Sequence, residues 1–333
     1  MKTVINIISL VLMLISGPTV FAQNKGYDKA NMNLDVKPGD NFVEYACGNW
    51  LKTHPLRDDQ MTNGAFLDLY EQNQKQIQEM ILEFATKPQE KGTLGYKIGT
   101  LYNQMMDTLR RNEQGLKPIM PYIERIRAIK DRKEYQRVTA EIDRRGEATM
   151  MYAWGAGADL RDADNNIVSI SQSGLGLGNR DYYFNEDPQT QAVREAYKAY
   201  GKRMFAALGY DEAKASELVE KVYAIEKRIA GASYDKVKLR DIDANYHKMS
   251  YDELVRDFPG IDWPTVFWVT GFPAFKQLVV EQPEQLHEVE KILADTPLDD
   301  LKAYAEVRII SGAASCLTQD LRRSYFTFAQ ALT

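Results

Sequence analysis

Few residues in this 333-residue chain have types that could do chemistry. Its imidazoles are His54, His247 and His287, and no two stand at ligand spacing on one helix. The stretch His287-Glu288-Val289-Glu290-Lys291 begins like the HExxH zinc helix. That motif places two histidines at i and i+4 on one metal, with the glutamate acting on bound water. Here the i+4 position is Lys291, a cation that cannot ligate while protonated, and the preceding Gln282-Pro283-Glu284-Gln285 is strongly polar. The glycine run Gly174-Leu175-Gly176-Leu177-Gly178 invites comparison with a phosphate-cradling loop. It lacks the dinucleotide spacing, and no Walker lysine and hydroxyl follow it. Asp159, Asp162 and Asp164 make half of a calcium loop, without the glycine and terminal glutamate that complete one. Serine and cysteine nucleophile motifs are absent. These residues assign no catalytic, cofactor-binding or metal-binding position, and each histidine reads as a surface or internally satisfied side chain.

The elements that would position such groups are mainly helical. Phe66, Leu69, Asn73, Ile77, Met80, Ile81 and Phe84 recur at three and four, which predicts a helix over 64–84. Similar spacing predicts helices over 41–50, stopped by Gly48, and over 94–110, 121–129 and 135–144. Further helices are expected over 188–208, 211–230, from Ser250, from Ile261, over 284–294 and over 298–331. Ser250 and Glu253 form a capping-box pattern. Residues 150–184 differ: an aromatic run, a turn cluster at 162–166 and the alternating Ile167–Gln172 predict a strand–turn–strand insert followed by a structured loop. The expected fold class is mainly α, a multi-helix domain with a small β-hairpin-like insert.

Composition sets the outer limits. Apolar residues at 44% and charged residues at 27% suit a globular protein, and a net charge of −5 supplies no electrostatic pull toward nucleic acid. Lys2, the apolar run Ile5–Ile15, the Gly17-Pro18 break and Val20-Phe21-Ala22 predict a secretory signal peptide over 1–22. That run is shorter than the roughly 20 residues that span a bilayer. The product is expected to be exported, to the periplasm, cell surface or medium, with no membrane span after cleavage. Residues 23–40 read as an extended, weakly ordered lead-in. The two cysteines, Cys47 and Cys316, lie in the exported part, where disulfides persist. Pairing with each other, loss of an outside partner and burial as free thiols all remain open.

Tyr45-Ala46-Cys47-Gly48-Asn49-Trp50 makes the comparison specific. With Pro38 to Phe42 before it, it resembles the opening of the neprilysin and endothelin-converting-enzyme family of zinc metallopeptidases, bacterial members included. In order along the chain, Gly64-Ala65-Phe66, Tyr102 to Asp107, Ser171 to Tyr183, Leu239-Arg240-Asp241 with Tyr246, Ile261-Asp262-Trp263 and Phe326 to Thr333 fit the same pattern. The resemblance covers residues 41–333 as the family's amino-terminal helical domain. It implies a cap that restricts substrates to peptides, over a zinc domain whose motifs lie further along the family's sequence. No catalytic or metal residue carries over to this chain. Gly39 stands at the family's first cysteine position, and Gly178 replaces the signature's proline. Thr62 stands where neprilysin has a carboxylate-binding arginine, which favours general endopeptidase action. Cys47 matches a cysteine that in neprilysin pairs near the carboxyl terminus.

The expected function is thus the substrate-restricting part of an exported zinc metalloendopeptidase, inactive by itself, with zinc belonging to the intact family protein. Its expected partners are peptides and the carboxyl-terminal catalytic domain. The chain stops at Thr333 without a cap or polar tail, and truncation before the catalytic domain is the expectation. The competing reading is a non-enzymatic exported module that binds peptides or partners.

Overall fold

The computed structural model describes residues 28–58, 60, 62–146, 148–272 and 274–332. The signal peptide expected over 1–22 and the start of the lead-in lie outside these residues. The described residues fall into two compact units, one up to Thr100 and one from Leu101 onward.

In the first unit, α1 (Phe42–Thr53) starts at Asn41, whose side chain accepts the Glu44 N–H at 3.0 Å. It does not stop at Gly48 as the sequence suggested. Gly48 is buried inside the helix, and a Cβ there would lie 2.5 Å from Glu44 Oε1, so the glycine makes room rather than ending the element. The stretch expected to be an extended lead-in carries a 3₁₀ turn at Lys29–Asn31 and is fastened to α1. Asn49 Nδ2 donates to the Met32 carbonyl at 2.7 Å, and Asn33 Nδ2 to Glu44 Oε1 at 3.0 Å. The helix expected over 64–84 is α2 (Ala65–Thr86), and none of its 22 residues is buried. Phe66, Leu69, Ile77 and Met80 all stand exposed on it. The next helix, α3 (Leu94–Met106), meets α2 backbone to backbone: a Cβ on Gly99 would fall 2.2 Å from the Phe84 carbonyl oxygen.

Two expected long helices are divided. Asp107 accepts the Arg110 N–H at 3.0 Å, ending α3 and capping α4 (Thr108–Gln114). The span 298–331 is α13 (Leu298–Ala313) and α14 (Gln319–Ala331), separated by a 3₁₀ turn at Ala314–Cys316 and by the Thr318 cap. Capping oxygens offer the first-turn N–H groups a better partner than a continued helix would, so a new helix begins. Between these lie α5 (Met120–Arg127), α6 (Arg132–Arg144), α7 (Asp181–Phe184), α8 (Pro188–Ala207), α9 (Glu212–Ala232), α10 (Tyr251–Asp257), α11 (Trp263–Thr270) and α12 (Pro283–Asp295). The capping box read from Ser250 and Glu253 is formed in both directions at the start of α10.

The strand insert is half of a sheet. β1 (Tyr152–Asp159) and β2 (Asp162–Gln172) form the expected hairpin, but its turn is at Leu160-Arg161 and not at the Asp162–Asn166 cluster. The cause is Asp159, which accepts the Arg161 N–H at 3.0 Å and tightens the turn ahead of the polar cluster. Two four-residue strands that the sequence reading missed complete the sheet, β3 (His247–Ser250) and β4 (Gln277–Val280). The order is β1-β2-β4-β3, with β2 and β4 parallel and the other pairs antiparallel. Its inner side, Val168, Ile170, Leu278 and Val280, joins the core of the second unit. That core is built from Ile123 and Ile126 on α5, Ile142 on α6, Val222, Ile225 and Ile229 on α9, and Tyr304 and Ile310 on α13. Each such side chain contributes roughly 1.5–3 kcal/mol on burial.

Candidate functional site

The residues singled out for chemistry are dispersed and engaged locally. His287 sits on α12 with its ring stacked on Phe258 at 4.4 Å and Nδ1 3.0 Å from Glu290 Oε2. Lys291, at the would-be second ligand position, points to solvent and pairs with Glu288 at 3.5 Å. His54 stacks on Trp50 at 4.6 Å, and His247 Nδ1 lies 3.0 Å from the Val280 carbonyl across the sheet. Cys47 and Cys316 are both free thiols. Among the described residues no three His, Cys, Asp or Glu side chains converge as metal ligands. The donors present therefore do not fit a zinc ion, and no chemical step is assigned to one on this chain.

The half calcium loop is also taken apart by the fold. Asp159 is buried, and its Oδ1 accepts from the Tyr246 hydroxyl at 2.7 Å while Oδ2 accepts from Lys248 Nζ at 2.8 Å. The Lys248 hydrogen bond, helped by those from the Arg161 N–H and the Tyr246 hydroxyl, holds this carboxyl down at about 2. Arg161 lies over the Tyr246 ring at 4.5 Å and reaches Asp243 at 2.5 Å. Asp162 instead accepts from Asn165 on its own strand.

The structure does gather residues around the glycine run, at a carboxylate that sequence reasoning did not single out. Glu226, on α9, is fully buried. Its Oε1 accepts from the Tyr197 hydroxyl at 2.8 Å and from the Gly176 N–H at 3.1 Å, and its Oε2 accepts from the Tyr183 hydroxyl at 2.8 Å. The Tyr183 oxygen in turn accepts the Leu177 N–H at 3.2 Å. Tyr304 on α13 donates to the Gly174 carbonyl at 2.9 Å. One carboxylate thus ties the loop to α7, α8 and α9. Burial pushes the Glu226 carboxyl up, opposed by the Arg308 guanidinium and by the hydrogen bonds it accepts. Arg308 reaches the same interior from α13 and donates through Nε and Nη2 to the Thr149 carbonyl at 3.2 and 3.0 Å.

This arrangement explains the glycines without a nucleotide. A Cβ on Gly176 would stand 2.1 Å from the Tyr197 hydroxyl oxygen. One on Gly174 would meet Tyr304 Oη at 2.8 Å, in a backbone whose φ of +96° already excludes most side chains. The one signal for Glu226 in the sequence was a glutamate on the apolar stripe of 211–230, beside Val222, Ile225 and Ile229.

The Ser171–Tyr183 segment that carries the family resemblance is therefore the segment clamped by Glu226. The model of peptidase family M13 matches residues 38–333. The chain belongs to peptidase family M13. Endothelin-converting enzyme 1 of Cavia porcellus is 27% identical over 301 residues, covering 87% of this M13 chain and 39% of the relative. Endothelin-converting enzyme-like 1 of Mus musculus is 23% identical and has 41% of its length covered. Among solved structures, the Mycobacterium tuberculosis zinc metalloprotease Zmp1 in complex with inhibitor aligns with a TM-score of 0.79 at 28% identity. The alignment covers 91% of this M13 chain and 46% of that one. The structure of PepO from Lactobacillus rhamnosis, at 18% identity and a TM-score of 0.71, shares the fold. The M13 chain thus spans less than half the length of these relatives.

Proposed function

We propose that this chain is the helical, substrate-restricting part of an exported zinc metalloendopeptidase that acts on peptides, and that residues 41–333 form its amino-terminal domain. The observation that carries the reading is the family match over residues 38–333 of a chain that holds no HExxH sequence. Zinc and the catalytic glutamate then belong to a catalytic domain that acts as the chain's partner. The apolar stripe on α2 supports such a partner, since Phe66, Leu69, Ile77 and Met80 are not covered within the first unit. Large contiguous apolar surface marks a contact site more often than a solvated face. Export rests on the leader-like residues 1–22. No helix among the described residues is long and apolar enough to cross a membrane.

A peptide-hydrolysis assay on this chain is expected to give no cleavage with or without added zinc. Reading the gene beyond Thr333 is expected to reveal an HExxH-bearing segment in frame or in an adjoining frame. A stop codon with no zinc-domain frame beside it would replace this reading with the second one, an exported peptide-binding module.

A further inference from the structure

A pocket opens on the outer face of the sheet, within the second unit. Val168, Ile170, Leu278 and Val280 turn to the core, so the alternate residues Ile167, Ser169, Val279 and Glu281 turn outward. Ser169 lies beside Val279 in the parallel register. On β1 the residues opposite Ser169 and Ile167 are Gly155 and Gly157, which raise no side chain over this face. The result is a cavity of about 190 Å³, walled by Leu160, Ile167, Val279, Ser169, Tyr246 and Glu281. Its walls are fastened. Tyr246 donates to the buried Asp159 at 2.7 Å, and the Glu281 N–H donates to the Ile170 carbonyl at 2.8 Å, carrying the ladder past the end of β4.

The charge in this pocket is uncompensated. Among the described residues the half-buried Glu281 carboxylate has neither a hydrogen bond nor an ion pair, and the Ser169 hydroxyl has no partner either. The two cations on this face are committed elsewhere. Lys248 Nζ is held by Asp159 at 2.8 Å, and Arg161 reaches Asp243 at 2.5 Å. Each cancels a carboxylate, which leaves the pocket one net negative charge, on Glu281. A carboxylate partly withdrawn from water gains more from an arriving cation than one in bulk solvent. A hard metal ion needs six or more oxygen ligands, and among the described residues no three His, Cys, Asp or Glu side chains converge. The aliphatic walls select a different cation, one carried on a methylene stem. Such a stem buries its CH₂ groups against apolar surface, and its ammonium offers three donors to the carboxylate and the hydroxyl. The volume, somewhat above the ~150 Å³ cavity that accepts benzene, admits one such stem.

We infer that this pocket binds a primary alkylammonium group, with the stem against Leu160, Ile167 and Val279 and the ammonium on Glu281 and Ser169. Two sources carry that chemistry, the side chain of a lysine in a peptide and a free aliphatic amine. The site goes beyond the peptidase reading and depends on no part of it.

The test is a ligand-observed NMR titration of the 333-residue chain with n-propyl-, n-butyl- and n-pentylammonium chloride. Saturable binding is expected, with the Kd falling about threefold or more for each added methylene, the gain from burying it. 1-Pentanol has the same stem without the charge and should bind about tenfold more weakly or worse. Glu281→Gln keeps the shape and removes the charge. It should weaken n-pentylammonium about tenfold and leave 1-pentanol nearly unchanged. An unchanged melting temperature checks that E281Q folds, as expected for a side chain that holds no other group. An end-blocked Gly-Lys-Gly peptide separates the two sources. Binding as tight as that of n-pentylammonium assigns the pocket to a lysine side chain, and binding of the free amine alone assigns it to an aliphatic amine. Either outcome upholds the ammonium chemistry. No saturation, equal affinity across the alkyl series, or indifference to E281Q would each overturn it. These measurements need no zinc and no added domain, so they fail or succeed separately from the gene-extension test of the peptidase reading.

Discussion

Glu226 holds two buried tyrosine hydroxyls and a loop N–H, and its removal separates hydrogen bonding from volume. Glu226→Ala strands two buried tyrosine hydroxyls and the Gly176 N–H, and each orphaned group costs about 1–3 kcal/mol. Urea denaturation at pH 7 should show a loss of about 3 kcal/mol or more, and a loss under 1 kcal/mol would deny the clamp. Glu226→Gln keeps an acceptor and should lose less. The pH dependence has a definite sign. Because burial raises this carboxyl in the folded state, the folded chain takes up its proton more readily than the unfolded chain. The stability linked to that proton is fully present below the ordinary glutamate value of about 4.3 and is lost as pH rises through the folded value. E226Q should remove this slope. Asp159 runs the other way. Its carboxyl is held at about 2, so its contribution is present above the ordinary aspartate range and is lost as pH falls toward 2. Acid titration of the Asp159→Asn chain, followed by circular dichroism, should lack the part of the transition between about 4 and 2 that the parent shows. Neither role was legible beforehand. A glutamate on a helical stripe and an aspartate near a turn look the same whether they are buried or solvated, and apart from the Arg161 N–H their partners are 29 to 89 positions away.

At the scale of elements, spacing revealed most helices, and their ends were set by caps that spacing does not weigh. Asp107 and Thr318 each divide what periodicity read as one helix, and Gly48 failed as a stop because it serves a close contact. β3 and β4 were invisible for a different reason: four residues are too few for an alternating pattern, and their pairing is with strands far away in sequence. Glycines divide in the same way, and the contrast is testable. Gly176→Ala would drive a Cβ to 2.1 Å from a tyrosine oxygen that Glu226 and the surrounding core hold in place. A destabilisation of about 2 kcal/mol or more is expected, since overpacking a filled core costs roughly 1–3 kcal/mol. Gly155→Ala meets nothing and should be neutral or stabilising by about 0.5 kcal/mol, through fewer unfolded conformations. Equal melting temperatures for the two variants would mean that the loop is not clamped as described.

For the whole molecule, the two units differ in what holds them. The second has a continuous core of buried aliphatic and aromatic side chains running through α5, α6, α9 and α13. In the first, the buried positions of the three helices up to Thr100 are glycines, Gly48, Gly95 and Gly99, and α2 buries nothing. Local opening free energy follows buried apolar contact, so the elements with little of it open first. A helix of about 22 residues has enough length to form, but in water its stability depends mainly on packing its apolar face. Hydrogen exchange followed by mass spectrometry should therefore find the amides of α2 exchanging orders of magnitude faster than those of α9 and α13 in the isolated chain. Protection of α2 equal to that of α13 would contradict the argument. The same measurement bears on the proposed partner. If the apolar stripe of Phe66, Leu69, Ile77 and Met80 is where a catalytic domain docks, a longer product carrying the HExxH segment should slow exchange in α2 and leave α9 and α13 as they are. The amphipathic stripe itself was plain in the sequence, because periodicity reports that a face is apolar. What covers that face is decided by surface elsewhere, and no pattern within residues 64–84 encodes it.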